Sequence, residues 1–553
     1  MYRRHFLKLS GTTLASTFIS RFTYLADEKL LLKTPDEVWA QNETSRFKLR
    51  NEGSGFTGNG ISVAFLINTD SSSVFIQSQT SAVFEIQLKW VHKIAITSKI
   101  LGDHWERTYG DVGWKNPSPE IKYPWYILLN DDKQTSGFGV KTGCNSICSW
   151  TLSAETLNLN IDTRSGGNGV LLGDRKLKVC ELVCITNSPG ESPFSTTQRF
   201  CRLMCESPKL PKLPVYGIND WYYAYGNNSA KLIKDITAIM ANLVSSTENR
   251  PFSVIDAGWA QYSPYLPGDG GWADDFSKPN DKFKDMQKMA NDIKDLGMRP
   301  GLWTRALCAK YNDNSNLLLP KIPGRDDPKN PVLDPTIPEN LERVKNNISL
   351  YKQWGYEMVK HDYSTYDITG RWGFEMKDSI TASNWSFYDK TKTTAEVINN
   401  LYRVIREAAG DMYLIGCNTI SHLSAGVFEL NRIGDDTSGK EWARTRKMGV
   451  NTLGFRMPQH QTFYAADGDC VGLTKDVAWA KNKQWMQLLA ESSAPLFISA
   501  QPEALGTEQK DFIKQSFLSA SSIQPIGEPL DWIDNSLPAK WKLNGRQVDF
   551  DWS

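Results

Sequence analysis

Two short stretches of this sequence set carboxylates beside cations. The first is Lys360-His361-Asp362, which closes the run Trp354-Gly-Tyr-Glu-Met-Val-Lys-His-Asp362. The second is Arg432-Ile-Gly-Asp435-Asp436. A lysine beside a carboxylate holds it ionised, which makes Asp362 a candidate nucleophile. Two adjacent acids disfavour double ionisation, so one of Asp435 and Asp436 is pushed to keep its proton, while Arg432 pulls the other way. An ionised and a protonated carboxyl facing one pocket can cleave a glycosidic bond. One attacks the anomeric carbon; the other protonates the leaving oxygen and then activates water, so its pKa should be raised. Each stretch also has a plainer reading. Lys-x-Asp describes a surface ion pair at a loop start, and Asp-Asp an Asx turn or a helix cap.

Such groups need a rigid frame. Tyr356, Met358 and Val359 precede the polar triplet, so the stretch reads as a buried strand that ends polar, as in α/β barrels. On a regular strand His361 points away from its neighbours, toward the barrel helices. Strand-like runs recur at 215–219, 252–256, 299–303, 412–417, 427–433 and 495–499. Between them Phe283, Met286, Met289, Ala290, Ile293 and Leu296, then Leu341, Val344, Ile348 and Tyr351, then Val397, Leu401, Val404, Ile405 and Ala408, keep helical spacing. These βα repeats predict a central (β/α)8 barrel over 208–505. Its strand ends offer Asp256, Trp303, Lys360 with Asp362, and Arg432 with Asp435 and Asp436 to one face. Trp221, Trp259 and Trp303 either stack on sugar faces or belong to the core. Asp467-Gly-Asp-Cys470 lacks the ligands of a calcium loop and reads as a barrel loop.

The 553 residues exceed one core, so several domains are expected. Residues 30–207 predict an N-terminal antiparallel β-sandwich. There Ile86, Leu88 and Trp90 alternate with Glu85, Gln87 and Lys89, and Leu157, Leu159 and Ile161 with polar neighbours. The stretch Trp105 to Trp114, with Tyr109 and Asp111, reads either as local packing or as an arm reaching a neighbouring cleft. Pro208-Lys-Leu-Pro-Lys-Leu-Pro214 is a natural joint. Residues 506–553 read as a short C-terminal β segment, the start of a small β module. The expected class is thus multidomain, β followed by α/β.

Sixty-three basic and 62 acidic side chains give a formal net charge of +1, which leaves no electrostatic footprint for nucleic acid or an anionic membrane. Arg3-Arg4-His-Phe-Leu-Lys8 and the mildly apolar segment after it resemble a twin-arginine export signal over 1–26, which implies a periplasmic or cell-surface bacterial protein with no membrane insertion after export. Six of nine Cys fall as Cys-x-x-x-Cys pairs, 144/148, 180/184 and 201/205. Four apart on a strand is too far for a disulfide, which leaves packed thiols or bridges between neighbouring strands. No zinc or other metal spacing is present.

Taken together, these residues resemble clan D glycoside hydrolases, families 27 and 36, the α-galactosidases and their relatives. Lys360 and Asp362 match the family's Lys-x-Asp nucleophile strand, and Arg432 with Asp436 its Arg-x-x-x-Asp acid/base motif, with Asp435 as the fallback. Gly217-Ile-Asn-Asp-Trp221 looks like the first barrel strand, Gly301-Leu-Trp303 the third, and Ala494-Pro-Leu-Phe-Ile-Ser499 the eighth. The likeness spans about 210–505. It implies Asp362 as nucleophile and Asp436 as general acid/base. Asp256, Lys360, Arg432, Trp221, Trp303, Cys417 and Asp435 are the implied substrate-binding residues. Asn418, beside Cys417, lies where family members meet the sugar's 2-substituent, or else is a loop turn residue. The family's second carboxylate after strand two is Ala257 here. Losing such a charged acceptor removes about 1.5–3 kcal/mol, which leaves galactose, an L-arabinopyranoside or a 2-acetamido sugar open.

The resemblance implies a retaining exo-acting α-glycosidase that hydrolyses terminal sugars of oligo- or polysaccharides and requires no cofactor. Two other readings stay open: a transglycosylase on the same site, and a non-catalytic carbohydrate-binding barrel. The carbohydrate is the expected partner; the oligomeric state is not legible.

Overall fold

The computed structural model describes residues 30–553 except 96, 132, 246–247, 263–272 and 328–329. The export-signal expectation for 1–26 lies outside the described residues. Two antiparallel sheets come first, a six-stranded one and an eight-stranded one, both built from strands within residues 37–186. Period-two alternation decides which faces meet. Ile86, Leu88 and Trp90 of Glu85–Val91 are buried while Glu85, Gln87 and Lys89 are half-exposed. Leu157, Leu159 and Ile161 stand opposite Trp90, Leu88 and Ile86 on the paired strand.

The end of this unit departs from the all-β expectation. Pro193–Met204 is a helix. Ser192 caps it, its Oγ accepting from Ser195 N at 3.1 Å, and Pro193 takes the first turn, where a missing N–H costs nothing. Phe194, Thr197, Phe200, Cys201 and Met204 form its buried side. Cys201 and Cys205 therefore sit on a helix end, not on a strand. All nine cysteines are free thiols, eight of them buried, so packed thiols rather than bridges is the outcome.

After the proline joint the chain builds one parallel sheet. Its strands run Tyr216–Asn219, Phe252–Ile255, Arg299–Arg305, Met358–Asp362, Tyr413–Gly416 and Leu430–Arg432, each paired in parallel with the next. The order ends on Ala465–Asp467 at one edge and on Cys470–Leu473, beside Leu496–Ala500, at the other. Leu496–Ala500 pairs back onto the first strand. The two edge pieces are consecutive in the chain, so the sheet's ends meet across Gly468 and Asp469. What reads in sequence as a loop is thus the break inside a seventh strand. The seventh strand is not legible in the sequence because each half is only three or four residues long and carries little periodicity.

Helices cover the outside. Pro338 opens Pro338–Gln353, and Thr393 and Glu396 form a reciprocal capping box on Thr394–Ala409. His361 is fully buried between Tyr402 and Phe428, ring centroids 5.9 and 5.8 Å away, and burial pushes its pKa down to about 3. It is a packing residue. Trp259 is also core, its Nε1 donating to Trp303 O at 2.9 Å.

Past residue 505 the chain first forms a helix, Thr507–Ala520, whose Phe517 packs on Tyr216 of the first parallel strand. Only then comes β structure, a three-stranded antiparallel sheet of Glu528–Pro529, Lys540–Leu543 and Arg546–Asp549. Asn544-Gly545, both at positive φ, makes its two-residue hairpin. Among the described residues no helix is long and apolar enough to cross a membrane.

An arm of the antiparallel unit lies on the parallel sheet. Thr108 N donates to Ile433 O at 2.9 Å and Thr108 O accepts from Asp435 N at 2.8 Å, a parallel bridge to Gly434. Arg456 anchors the same arm through Asp103 at 2.7 Å and through Glu106 O at 2.6 Å.

Candidate active site

The polar groups gather where the parallel strands end. Lys360, on the fourth strand, reaches across to the second, where its Nζ lies 2.7 Å from Asp256 Oδ2. Burial works against the ammonium, but the Asp256 carboxylate outweighs it and holds the charge. Asn219 Nδ2 donates to the same Asp256 oxygen at 2.7 Å. Behind Asp256 sits Asp220, whose Oδ1 accepts the Asp256 backbone N–H at 2.7 Å and whose Oδ2 accepts from Asn228 Nδ2 at 2.7 Å. Burial, then the neighbouring Asp256 charge, pushes Asp220 up to about 7.

This corrects one expectation. The ion pair of Lys360 is with Asp256 and not with Asp362, because a lysine side chain is long enough to cross the third strand to the end of the second. Asp362 is held instead by two hydrogen bonds. Trp303 Nε1 donates to Oδ2 at 3.1 Å and the Tyr363 backbone N–H donates to Oδ1 at 2.7 Å. Tyr363 takes a left-handed conformation, φ 66°, to turn its N–H back onto the carboxylate. Such a backbone costs on the order of 1–3 kcal/mol in a non-glycine residue and persists only where the surroundings enforce it. Arg305 lies 4.8 Å over the Tyr363 ring, and Trp303 and Trp372 pack on its sides.

Across the mouth, Asp435 and Asp436 follow the sixth strand. Asp436 Oδ1 lies 3.0 Å from Arg432 Nη2 and 3.8 Å from Arg107 Nη1. Asp435 is clamped by Arg107 at 2.8 Å and Arg444 at 2.7 Å. Burial pushes Asp436 up, but Arg432, Arg107 and Lys360 overcome it and hold the carboxyl at about 2, below its ordinary 3.8. The raised pKa expected from the Asp-Asp pairing is therefore reversed, because the cations around Asp436 outweigh its burial while Asp435 lies against two guanidiniums of its own.

Arg432 is fully buried and is itself held from below. Its Nη1 meets Asp469 Oδ1 at 2.9 Å. Asp469 stands in the break of the seventh strand at φ 74°, and its Oδ2 accepts from Thr437 N at 2.8 Å, Thr437 Oγ1 at 2.9 Å and the Tyr222 hydroxyl. The break thus turns a carboxylate into the interior under Arg432.

These groups line one cavity of ≈ 300 Å³. Of the residues picked from sequence, Asp362, Asp436, Asp256, Lys360, Trp221, Trp303 and Asp435 line it, together with Ala257. Arg432 and Cys417 do not; Cys417 is buried with its Sγ 3.8 Å from Arg432 Nη1, so it packs behind the site. Asn418 is also buried, its Oδ1 accepting from Tyr366 N and its Nδ2 donating to Glu106, so both ends of its amide are held inside the protein. The rest of the wall is Arg107, Tyr109, Tyr363, Trp372, Phe374 and Arg444.

Arg107 and Tyr109 come from the arm of the antiparallel unit, so of the two readings of Trp105 to Trp114 the reach into a neighbouring cleft holds. Arg107 carries no local signal, because its partners Asp435 and Asp436 lie far along the chain. Asp220 stood inside the Asn-Asp-Trp221 run, where the tryptophan was the more conspicuous residue. Asp469 stood inside Asp467-Gly-Asp, where adjacency to a β-like run was the available signal. Among the described residues no group of three or more His, Cys, Asp or Glu side chains is placed to hold a metal ion.

No family model matches this sequence, and neither does any curated protein. Solved structures do match. An α-galactosidase from Thermus thermophilus, TtGalA, in complex with p-nitrophenyl α-D-galactopyranoside, superposes with a TM-score of 0.61 at 15% identity, over 93% of this chain and 98% of that one. The GH36 α-galactosidase AgaA from Geobacillus stearothermophilus gives 0.57 at 12% identity, over 88% and 74%. The galactosidase domain of the α-galactosidase-sucrose kinase AgaSK gives 0.57 at 15%, over 87% and 71%. The chain therefore shares the α-galactosidase fold, a multidomain β and α/β arrangement.

Proposed function

We propose that this chain is a retaining, exo-acting α-glycosidase of the α-galactosidase kind, built on a (β/α)8 barrel. The observation that carries the reading is the pair Asp362 and Asp436 on one small cavity, each held by different means. Asp362, accepting from Trp303 and Tyr363 and free of any ion pair among the described residues, keeps its electron pairs for attack at the anomeric carbon. Asp436 delivers a proton to the departing oxygen and then takes one from the attacking water. With its pKa held at about 2, Asp436 must gain its proton as bound substrate displaces water from around it; desolvation favours the neutral acid. Asp256 and Lys360 present an acceptor and a donor to sugar hydroxyls, and Trp221 and Trp303 wall the ring.

Ala257 leaves Asp256 as the acceptor at that wall, so the sugar is galactose or one lacking a demand at C4 or C6. A panel of nitrophenyl α-galactoside, α-N-acetylgalactosaminide, β-L-arabinopyranoside and α-glucoside identifies it, with NMR of the first-formed anomer. Retention is expected; inversion defeats the mechanism. Asp362→Ala should lose on the order of 10⁴-fold or more in kcat, and Asp436→Ala about 10²–10⁴-fold. Equal slow release by wild type and Asp362→Ala refutes the catalytic reading. Export is part of the proposal, on the strength of Arg3-Arg4; Arg3→Lys with Arg4→Lys should hold the protein in the cytoplasm, and unchanged export rejects it.

A further inference from the structure

A groove of ≈ 810 Å³ lies on the outside of the barrel and shares no lining residue with the catalytic cavity. Its place follows from a gap in the helical layer. Helices Pro338–Gln353 and Thr394–Ala409 hold 16 residues each, but the link from the fifth strand to the sixth holds only the four-residue helix Ser421–Ser424. Thr394–Ala409 therefore has a long neighbour on one side and a short one on the other. Its own residues line the groove from Glu396 to Arg406, about 15 Å along the helix axis. Leu423 and Val427 of the short link, Asn145 of the antiparallel unit and Lys209 of the proline joint complete the lining.

Charge on this groove is lopsided. Lys209, Lys392, Arg403 and Arg406 face Asp389 and Glu396. Both acids are engaged by groups of their own. Glu396 takes two hydrogen bonds from Arg175, at 2.8 and 3.1 Å, and Asp389 Oδ1 accepts from Thr391 N at 2.9 Å and Thr391 Oγ1 at 2.6 Å. Of the cations, only Arg406 is tightly matched, by Glu429 at 2.7 Å. Lys209 lies 4.0 Å from that same Glu429. Arg403 lies 3.9 Å from Glu407, with both side chains about two-thirds exposed, a contact that water screens. Lys392 is half-buried and has no hydrogen-bond or ion-pair partner among the described residues. A cleft lined by one sign of charge gathers ligands of the other, and lysine and arginine bind oxyanions. Asn145, Asn399 and Asn400 add amides, which exchange hydrogen bonds with hydroxyls. No aromatic ring is among the described lining residues, which disfavours stacked bases and sugars held by stacking alone. The chain's net charge of +1 supplies no broad field for polyanions; the excess is local.

We propose that this groove is a second carbohydrate site, for an acidic polysaccharide whose carboxylate or sulfate groups lie against Lys209, Lys392 and Arg403. It holds the protein on a charged polymer and leaves the catalytic cavity open. The inference goes beyond the glycosidase reading and does not depend on it, because this binding needs no turnover.

The test is calorimetric titration of the full chain at low ionic strength, where such contacts are least screened. The probes are a de-esterified oligogalacturonide, dextran sulfate, and the methyl-esterified oligogalacturonide as an uncharged control. Lys392→Gln with Arg403→Gln should weaken binding of the charged probes at least about fivefold. Arg403→Glu alone, at a side chain 66% exposed that folding does not need, should act in the same direction. Lys231→Gln with Lys288→Gln removes the same charge from exposed sites elsewhere and should change nothing. Tighter binding of the oligogalacturonide identifies a carboxylate-bearing polymer, and tighter binding of dextran sulfate a sulfated one; either supports the site. The proposal is overturned by no binding of either charged probe, or by equal binding in wild type and the groove variants. Equal loss in both double variants, equal binding of the esterified control, or tighter binding of a single-stranded oligonucleotide of matched charge also overturns it.

Discussion

Asp436 shows how a single residue's ionisation is set by its surroundings. Two guanidiniums from different parts of the chain outweigh burial and hold it at about 2. A general acid must carry its proton, and above its pKa the protonated fraction falls tenfold per pH unit. Turnover of oligosaccharides, which need that proton, should therefore decline as pH rises through neutrality. Arg107→Gln removes one guanidinium, so the Asp436 pKa rises and the decline moves to higher pH, by about one unit. A pH profile of kcat/KM on both proteins checks the shift; an unmoved profile would show that Arg107 does not set the acid.

At the scale of elements, the broken seventh strand and the tight turn after the sixth do the positioning. Asp469→Ala strips the buried Arg432 of one of its two carboxylates and leaves Asp436, so the loss should lie below the about 3–5 kcal/mol of a buried charge left wholly unpaired. Chemical denaturation should read that loss, and Asp469→Asn should recover part of it. Gly434, between Arg432 and Asp435, is packed so that a Cβ would stand 2.0 Å from Met448 O, a backbone atom that cannot swing away. Gly434→Ala must push Asp435 and Asp436 off their places, and a displacement of about 1 Å is enough to lower kcat/KM about 10²-fold. The fourth strand and its Asp362 were legible because a long apolar run ends in charges. The sixth strand's acids were legible as a motif. Their neighbours were not: the partner of Lys360, the clamp on Asp435 and the support under Arg432 all depend on which strands lie side by side, and no local spacing records that. The helix Pro193–Met204 has a readable start in Ser192-Pro193, but the cysteine spacing competes with it and suggests strands instead.

For the whole molecule, two buried carboxyls couple folding to protons. Glu106, in the arm, accepts from Gly373 N at 2.7 Å and from Asn418, yet burial still pushes it up from 4.5 to about 7. Asp220, under the second strand, rises from 3.8 to about 7. Both groups bind their proton more tightly folded than unfolded. Their contribution is complete below about pH 4 and is lost as pH climbs toward 7, on the order of a few kcal/mol in all. Asp436 acts oppositely only between pH 3.8 and about 2, but the buried His104, His361, His422 and His460, lowered from 6.5 to between about 3 and 4, oppose the carboxyls below pH 6.5, where their stabilisation is lost as pH falls. Above about pH 6.5, where the histidines are neutral folded and unfolded alike, the melting temperature should fall toward pH 8, and Glu106→Gln with Asp220→Asn should flatten the fall. A wild-type curve already flat over that range contradicts this account.

The arm from Glu106 to Tyr109, laid against the sixth strand, also bears on descent. A hybrid gene that crossed over at the Pro208–Pro214 joint would give this barrel a foreign arm, and Asp435 and Asp436 would lose the guanidinium they share. The two halves of the chain are therefore exchangeable only with a donor whose arm brings a cation to the same place.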